Sequence, residues 1–249
     1  MLRSLYGDKN YLIYLANDIK GISMDSSFNL QAPDIKTTEK NNAIPTVILA
    51  TRNTGKIQEL KDMLCNFKLH ILCLEDFPEI PEIEETGKTF EENALIKAKV
   101  VSQYTGLIAI ADDSGLEVDI LNGAPGIYSS RYAEDIPNIH NLTIDQHNIS
   151  KLLSILTNVP LTQRTAKLCT TIVAYNTNGK YITAKGITKG LISLTSKGNN
   201  GFGYDPIFFD TNLGKTFGEL PLKEKKQYSH RTKALKKLLE LWPTLYNEI

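Results

Sequence analysis

The sequence predicts an α/β fold, and three stretches carry that expectation. In Thr46–Lys56 (TVILATRNTGK) the apolar run Val47, Ile48 and Leu49 has the continuous, β-branched character of a strand buried on both faces. The turn Asn53-Thr54-Gly55 then leads into Ile57, Leu60 and Leu64 at helical spacing. Thr89-Phe90-Glu91-Glu92 has the form of a capping box, opening a helix with Phe90, Ala94, Ala98 and Val101 on one face, and Leu107–Ala111 follows as a short buried strand. Finally, Ala166–Tyr175 and Lys180–Ile187 are strand-like runs separated by Asn176–Gly179 in the manner of a hairpin.

Taken in order, residues 1–45 read as an extension ahead of one domain spanning 46–249. They scatter Asn, Asp, Lys and Ser around Pro33, Pro45 and a polar run from Lys36 to Asn42. The apolar cluster Tyr11–Ala16 is too short for a secretory segment, and Asp8, Asp18 and Asp25 do not suit an organellar transit peptide. Met24 is an alternative initiation site. After the opening strand, turn and helix, Leu69–Leu74 reads as a second strand, and Asp76–Gly87 is a Pro- and Glu-rich loop carrying Glu79, Glu82, Glu84 and Glu85. Asp112-Asp113-Ser114-Gly115 is expected to break the Leu107–Ala111 strand, with alternation resuming at Leu116–Ile120 and a turn-rich loop at Asn122–Gly126. Ile149, Leu152, Leu153 and Leu156 mark a helix ending near Pro160. Beyond the hairpin, GNNGFGYDP at Gly198–Pro206 is a glycine-rich loop and Ile207–Phe209 a strand. Leu235, Leu238, Leu239 and Trp242 share one face of a last helix, stopped by Pro243.

Composition narrows the function. The chain has 249 residues, 41% apolar and 22% charged, the balance of a soluble globular protein. Lys+Arg and Asp+Glu are both 28, so no broad electropositive surface is expected and nucleic acid is not an expected partner. A small nucleotide needs only a few local cations and remains compatible. Cys65, Cys73 and Cys169 lie far apart with no C-x-x-C pair, pointing to a reducing, cytoplasmic setting with the three as small buried residues. No apolar run reaches the length of a membrane span, so no membrane partner is expected.

Four stretches can bear chemistry. The strand-to-helix turn before Lys56 aims backbone N–H groups and the positive helix end at one spot, where a phosphate is the natural occupant; an ordinary loop with a solvated lysine is the plain alternative. Asp112 and Asp113 repel one another unless a proton or a hard cation compensates them, and Glu84 and Glu85 could complete such a site; a simple Asx-type turn with Gly115 is equally compatible. In the glycine-rich loop, Phe202 and Tyr204 offer flat faces for stacking on a base. Ser229 suits an N-cap, but His230 and Arg231 are misplaced cations at a helix N-terminus, which invites a compensating acceptor such as a base carbonyl or phosphate. A P-loop is rejected: the first required glycine is Phe209 ahead of Gly214-Lys215-Thr216 and Ala50 ahead of Gly55-Lys56.

Together these stretches resemble the inosine/xanthosine triphosphate pyrophosphatase family. The matching pieces, in family order, are TRNTGK at Thr51–Lys56, EETGKTFEENA at Glu84–Ala94, ADDSGLEVD at Ala111–Asp119, GAPGIYSSRYA at Gly123–Ala133, GFGYDPIF at Gly201–Phe208 and SHR at Ser229–Arg231. The resemblance implies an elongated mixed-sheet α/β fold with a central nucleotide cleft between two lobes, and a homodimer. It also implies magnesium-dependent cleavage of ITP, dITP and XTP to the monophosphate and pyrophosphate. Carried over residue by residue, Thr51, Arg52, Asn53, Thr54, Gly55 and Lys56 would bind the triphosphate, and Asp113 would be the catalytic acid–base residue and a magnesium ligand. Ser114 would touch substrate, Phe202, Gly203, Tyr204 and Asp205 would hold the nucleoside, and Lys225, His230 and Arg231 would complete the base and phosphate contacts. Glu84 or Glu85 would be the second metal carboxylate. Arg52 departs from the glycine common in the family, so it would alter the phosphate loop or add a contact. A pyrophosphatase for another modified nucleotide and a catalytically silent nucleotide-binding regulator are the rival readings.

Overall fold

Thr46–Leu49 forms strand β1, and Val47, Ile48 and Leu49 are fully buried, as a run apolar on both faces requires. The computed structural model describes residues 44–246. Almost all of the expected extension, with Tyr11–Ala16 and Met24, lies outside the described residues. From β1 the chain turns into helix α1 (Thr54–Leu64), and β1 pairs parallel with β2 (His70–Cys73). After helix α2 (Phe90–Thr105), β3 (Ile108–Val118) pairs parallel with β1 on its other side. Helix α3 (Ile144–Ile155) comes next, and then β4 (Thr165–Tyr175), β5 (Tyr181–Ile192), β6 (Phe208–Asp210) and β7 (Lys215–Thr216) each add antiparallel. Helices α4 (Leu222–Tyr228) and α5 (His230–Tyr246) close the chain. The sheet is therefore mixed, in the order β2-β1-β3-β4-β5-β6-β7. Among the described residues no helix is long and apolar enough to cross a membrane.

Strand alternation sorts the core. Val47, Leu49, Ile110 and Ile172 face α1 and α5, packing on Leu60, Leu64, Leu235 and Leu238. Ile48, Ala109, Ala111 and Val173 face the other way, onto Ala94, Ala98 and Val101 of α2. A further core gathers Leu116, Val118 and Leu168 with Ile149 and Leu152 of α3, Phe208 and Phe217. At 11 residues each, β3 and β4 are about 36 Å long, enough to serve both lobes. The polar stretch 112–115 falls where β3 passes from one lobe to the other.

That stretch does not break the strand. Asp112, Asp113, Ser114 and Gly115 stay in register with Ile172, Thr171, Thr170 and Cys169 of β4, so the cross-strand ladder overrides the weak strand preference of Asp and Gly. Pro243 likewise sits inside α5, and Leu245, fully buried in the first core, holds the last turn in place. The capping box at Thr89 is half formed: Thr89 Oγ1 accepts from Glu92 N at 3.1 Å, while the Glu92 carboxylate accepts from Lys88 N. Of the cysteines, Cys73 and Cys169 are buried but Cys65 is exposed.

At Gly186 of β5 the backbone of α5 lies directly against the sheet. A Cβ there would collide with the His230 carbonyl oxygen and lie 2.6 Å from Ala234 N. Gly186→Ala is expected to destabilise the protein by about 1–3 kcal/mol through overpacking. A melting curve superimposable on that of wild type would remove this role.

Candidate active site

Between the lobes lies a cavity of about 290 Å³. The β1–α1 turn contributes Thr51, Arg52, Asn53 and Lys56, the loop ahead of α2 contributes Glu85, and β3 contributes Asp113 and Ser114. Phe202, Gly203, Tyr204 and Asp205 line it from the glycine-rich loop, and Lys225, His230 and Arg231 from α4 and α5. Three expected residues do not line it. Thr54 and Gly55 lie in the first turn of α1, and Glu84 is exposed outside.

The turn is held by its own side chains. Asn53 Oδ1 accepts from Lys56 N at 3.0 Å, capping α1, and Thr51 Oγ1 accepts from Asn53 N at 3.2 Å. A Cβ on Gly55 would press into the Phe202 ring, with Cε1 and Cγ at 2.8 Å, so this glycine seats an aromatic side chain. Arg52 donates to the Ile80 carbonyl, tying the turn to the loop ahead of α2. Lys56 Nζ lies 3.2 Å from Asp112 Oδ2. Burial pushes the Lys56 amine below its ordinary value, against the pull of Asp112.

Asp112 and Asp113 point to opposite faces of β3, and both are buried. Asp112 meets Lys56 and Arg231; burial would raise its carboxyl, but Lys56, Arg231 and Lys97 hold it well below the usual range. Asp113 faces α2, where Asn93 Nδ2 donates to Oδ2 at 3.2 Å and Lys97 Nζ to Oδ1 at 3.3 Å. Lys97 sits closer to Glu85, at 2.8 Å, and also donates to the Asp112 carbonyl. Its charge is thus shared, and burial leaves the Asp113 carboxyl above its ordinary value. Asn93 and Lys97 were not anticipated from the sequence. The available signal is a lysine within the apolar stripe Ala94, Ala98 and Val101, a position where lysine is seldom buried without a partner.

Of the two residues expected as misplaced cations at the start of α5, Arg231 has acceptors within the protein. Arg231 donates to Glu59, to Asp112 Oδ2 at 3.2 Å and to Ser114 Oγ at 3.0 Å. Lys225 lies 2.8 Å from Glu59 and 2.5 Å from Asp205. Glu59, another residue sequence reasoning missed, sits on α1 between the buried Ile57 and Leu60. Ser229 acts as the expected cap, its Oγ accepting from Arg231 N at 3.1 Å. Burial, with Arg231 and Lys225 nearby, pushes the His230 imidazole well below its ordinary value, and its Nδ1 has no hydrogen-bond partner among the described residues. The two aromatics differ. Lys225 and Arg231 lie 5.0 and 5.4 Å from the Phe202 ring centre. Tyr204 packs with the α3-side core and donates its hydroxyl to the Ser129 carbonyl at 2.8 Å, which fixes the ring where it lines the cavity.

The sequence model of the Ham1 family matches residues 47–241, a span that holds every cavity residue named above. A dITP/XTP pyrophosphatase of Nitratidesulfovibrio vulgaris is 49% identical over 201 residues, 81% of this chain and 97% of the relative. One of Geobacter sulfurreducens is 48% identical over 189 residues, 76% of this chain and 92% of that relative. A HAM1 protein structure from Coxiella burnetii superposes with a TM-score of 0.70 at 38% identity, covering 80% of this chain and 99% of that one. With the family model, the relatives and the fold in agreement, the chain belongs to the Ham1 family.

Proposed function

We propose that this chain hydrolyses noncanonical purine nucleoside triphosphates, ITP, dITP and XTP, to the nucleoside monophosphate and pyrophosphate, clearing them from the nucleotide pool. The observation that carries the reading is a single cavity combining a capped helix N-terminus and Lys56 with a buried carboxylate, Asp113, and a donor-rich wall of Lys225, His230 and Arg231. The names of the two bacterial relatives support it.

The N-terminus of α1 sets its positive end toward the triphosphate, and Lys56 adds a full charge. Asp113, raised by burial, is a stronger base than an ordinary carboxylate and would take a proton from the water that adds across the α–β anhydride. Pyrophosphate leaves with the bridging oxygen, its charge met by Lys56. Lys225, enclosed by Glu59 and Asp205 beside Phe202, belongs with Arg231 at the purine. There a keto oxygen at position 6 can accept from buried donors. An amino group cannot, and the unpaired donors would disfavour ATP by roughly 10⁴-fold.

Among the described residues no group of three or more His, Cys, Asp or Glu side chains is gathered for a metal, but the pair Asp113 and Glu85 would suit magnesium. Asp113 and Glu85 converge on one cationic centre, the Lys97 ammonium, and Asp113 stays incompletely compensated, a donor pair suited to a hard oxygen-seeking ion. Asp113 and Glu85, not the exposed Glu84, would hold it. When bound it supplies charge neutralisation at the phosphate oxygens. The reading includes a homodimer, supported by the family resemblance and checked by sedimentation.

A product panel over ITP, dITP, XTP, GTP and ATP, with magnesium and with a chelator, is the test. Equimolar IMP and pyrophosphate from ITP, lost on chelation, is the expected result. Release of orthophosphate, or tight binding of ITP without turnover, would overturn the reading.

A further inference from the structure

We propose that Asp112 is a positioning residue that carries the identity of the base to the phosphate-binding lysine, so that discrimination among purine triphosphates is expressed in kcat more than in KM. The inference deepens the function proposed above and rests on it.

Asp112 is fully buried and does not line the cavity, yet a single oxygen, Oδ2, lies 3.2 Å from Lys56 Nζ and 3.2 Å from Arg231 Nε. Among the described residues it is the only carboxylate in an ion pair with Lys56. Beyond Arg231 the contacts continue through Glu59 to Lys225 at 2.8 Å, to Asp205 at 2.5 Å and to the backbone N–H of Phe202 at 2.9 Å. Lys56, Asp112, Arg231, Glu59, Lys225 and Asp205 thus form an unbroken run of alternating charges. It joins the helix that would grip phosphate to the loop that would grip the nucleoside.

Such a run is stiff in compression and responsive in displacement. In surroundings of low polarity each charge is held mainly by its neighbours, so moving one moves the next. Asp112 is suited to transmit this, because its other oxygen, Oδ1, is buried with no hydrogen-bond partner among the described residues. The carboxylate is held on the side its two cations share, where Oδ2 also accepts from Thr170 Oγ1 at 3.4 Å, and among the described residues no hydrogen bond holds the opposite side. A base that accepts from the wall leaves Arg231 in place, and Lys56 with it. A base presenting donors displaces Arg231, Asp112 follows, and Lys56 loses its alignment on the phosphate. A misplacement of about 1 Å at a reacting group can cost about 10²-fold in rate.

The test compares wild type with Asp112→Asn on ITP and ATP, measuring kcat and KM separately. The expected result is a fall of about 10²-fold in kcat on ITP, with kcat on ATP and both KM values within about threefold, so that the kcat ratio collapses. Asp112→Glu, which keeps the charge, should recover about tenfold of that ratio. Equal losses on the two nucleotides, or a loss confined to KM, would overturn the inference alone. A wild-type enzyme inert toward ITP would overturn the proposed function and the inference together. Should Asp112→Asn fail to fold, Lys56→Gln and Arg231→Gln decide, singly and combined. A combined kcat loss about tenfold smaller than the product of the single losses is the coupled result, and multiplicative losses overturn the role of Asp112.

Discussion

Asp113→Asn is expected to lower kcat on ITP by at least about 10³-fold while leaving the melting temperature within a few degrees of wild type. The activity loss follows from removing one of two cavity-lining carboxylates raised in basicity by burial; the other, Asp205, is tied to the Lys225 ammonium at 2.5 Å. Stability should survive for a related reason. A carboxyl whose folded value lies above its unfolded value is disfavoured in its ionised form by folding, so replacing it with a neutral amide removes a penalty. The near-isosteric amide can still accept from Asn93, and Lys97 keeps its shorter contact to Glu85. Steady-state kinetics and a thermal melt on the same preparation are the check. Activity within tenfold of wild type would remove Asp113 from the chemistry.

Glu59→Ala is expected to produce the largest loss of stability, about 3–5 kcal/mol, because it takes from two buried cations the carboxylate they share, leaving Arg231 with Asp112 and Lys225 with Asp205. Arg231 and Lys225 are 1% and 2% exposed and would each lose a carboxylate partner. For a chain of this size that corresponds to a fall in melting temperature of about 6–20 °C. The effect has a pH signature. Burial would raise the Glu59 carboxyl, but Arg231 and Lys225 hold it below its ordinary 4.5. Its contribution is therefore complete above the unfolded value and lost as pH falls through the folded one. Urea midpoints of wild type and variant should differ most near neutrality and converge on acidification. A constant difference would show that the carboxylate acts through packing alone.

What is legible in the sequence is largely what is local. The strand, turn and helix at Thr46–Lys56 are written in consecutive residues, and the cap at Asn53 needs no distant partner. The hairpin between β4 and β5 is legible for the same reason. The continuity of β3 through 112–115 is not, because the strand that pairs with it arrives some fifty residues later, and isolated Asp and Gly favour turns. Glu84 and Glu85 cannot be told apart by adjacency; only the path of the folded loop decides that Glu85 reaches Lys97. Lys97 and Glu59 look like solvated charges until α2 and α1 pack on the sheet, when the partners that justify their burial come from β3, α4 and α5. Gly55 shows the converse: its place in a phosphate-type turn is local, but its contact with Phe202, far along the chain, is not.

Since β3 and β4 stay in register from Ala109 to Val118, the same backbone ribbon underlies both halves of the molecule. A hinge requires a few residues free to swing their dihedrals without unpairing from neighbours, and this ribbon offers none at the crossing. The two lobes are consequently joined at the crossing by paired strands and not by a loop. Any gating then falls to the covering segments at the rim, one of which Arg52 fastens to the α1 turn through the Ile80 carbonyl.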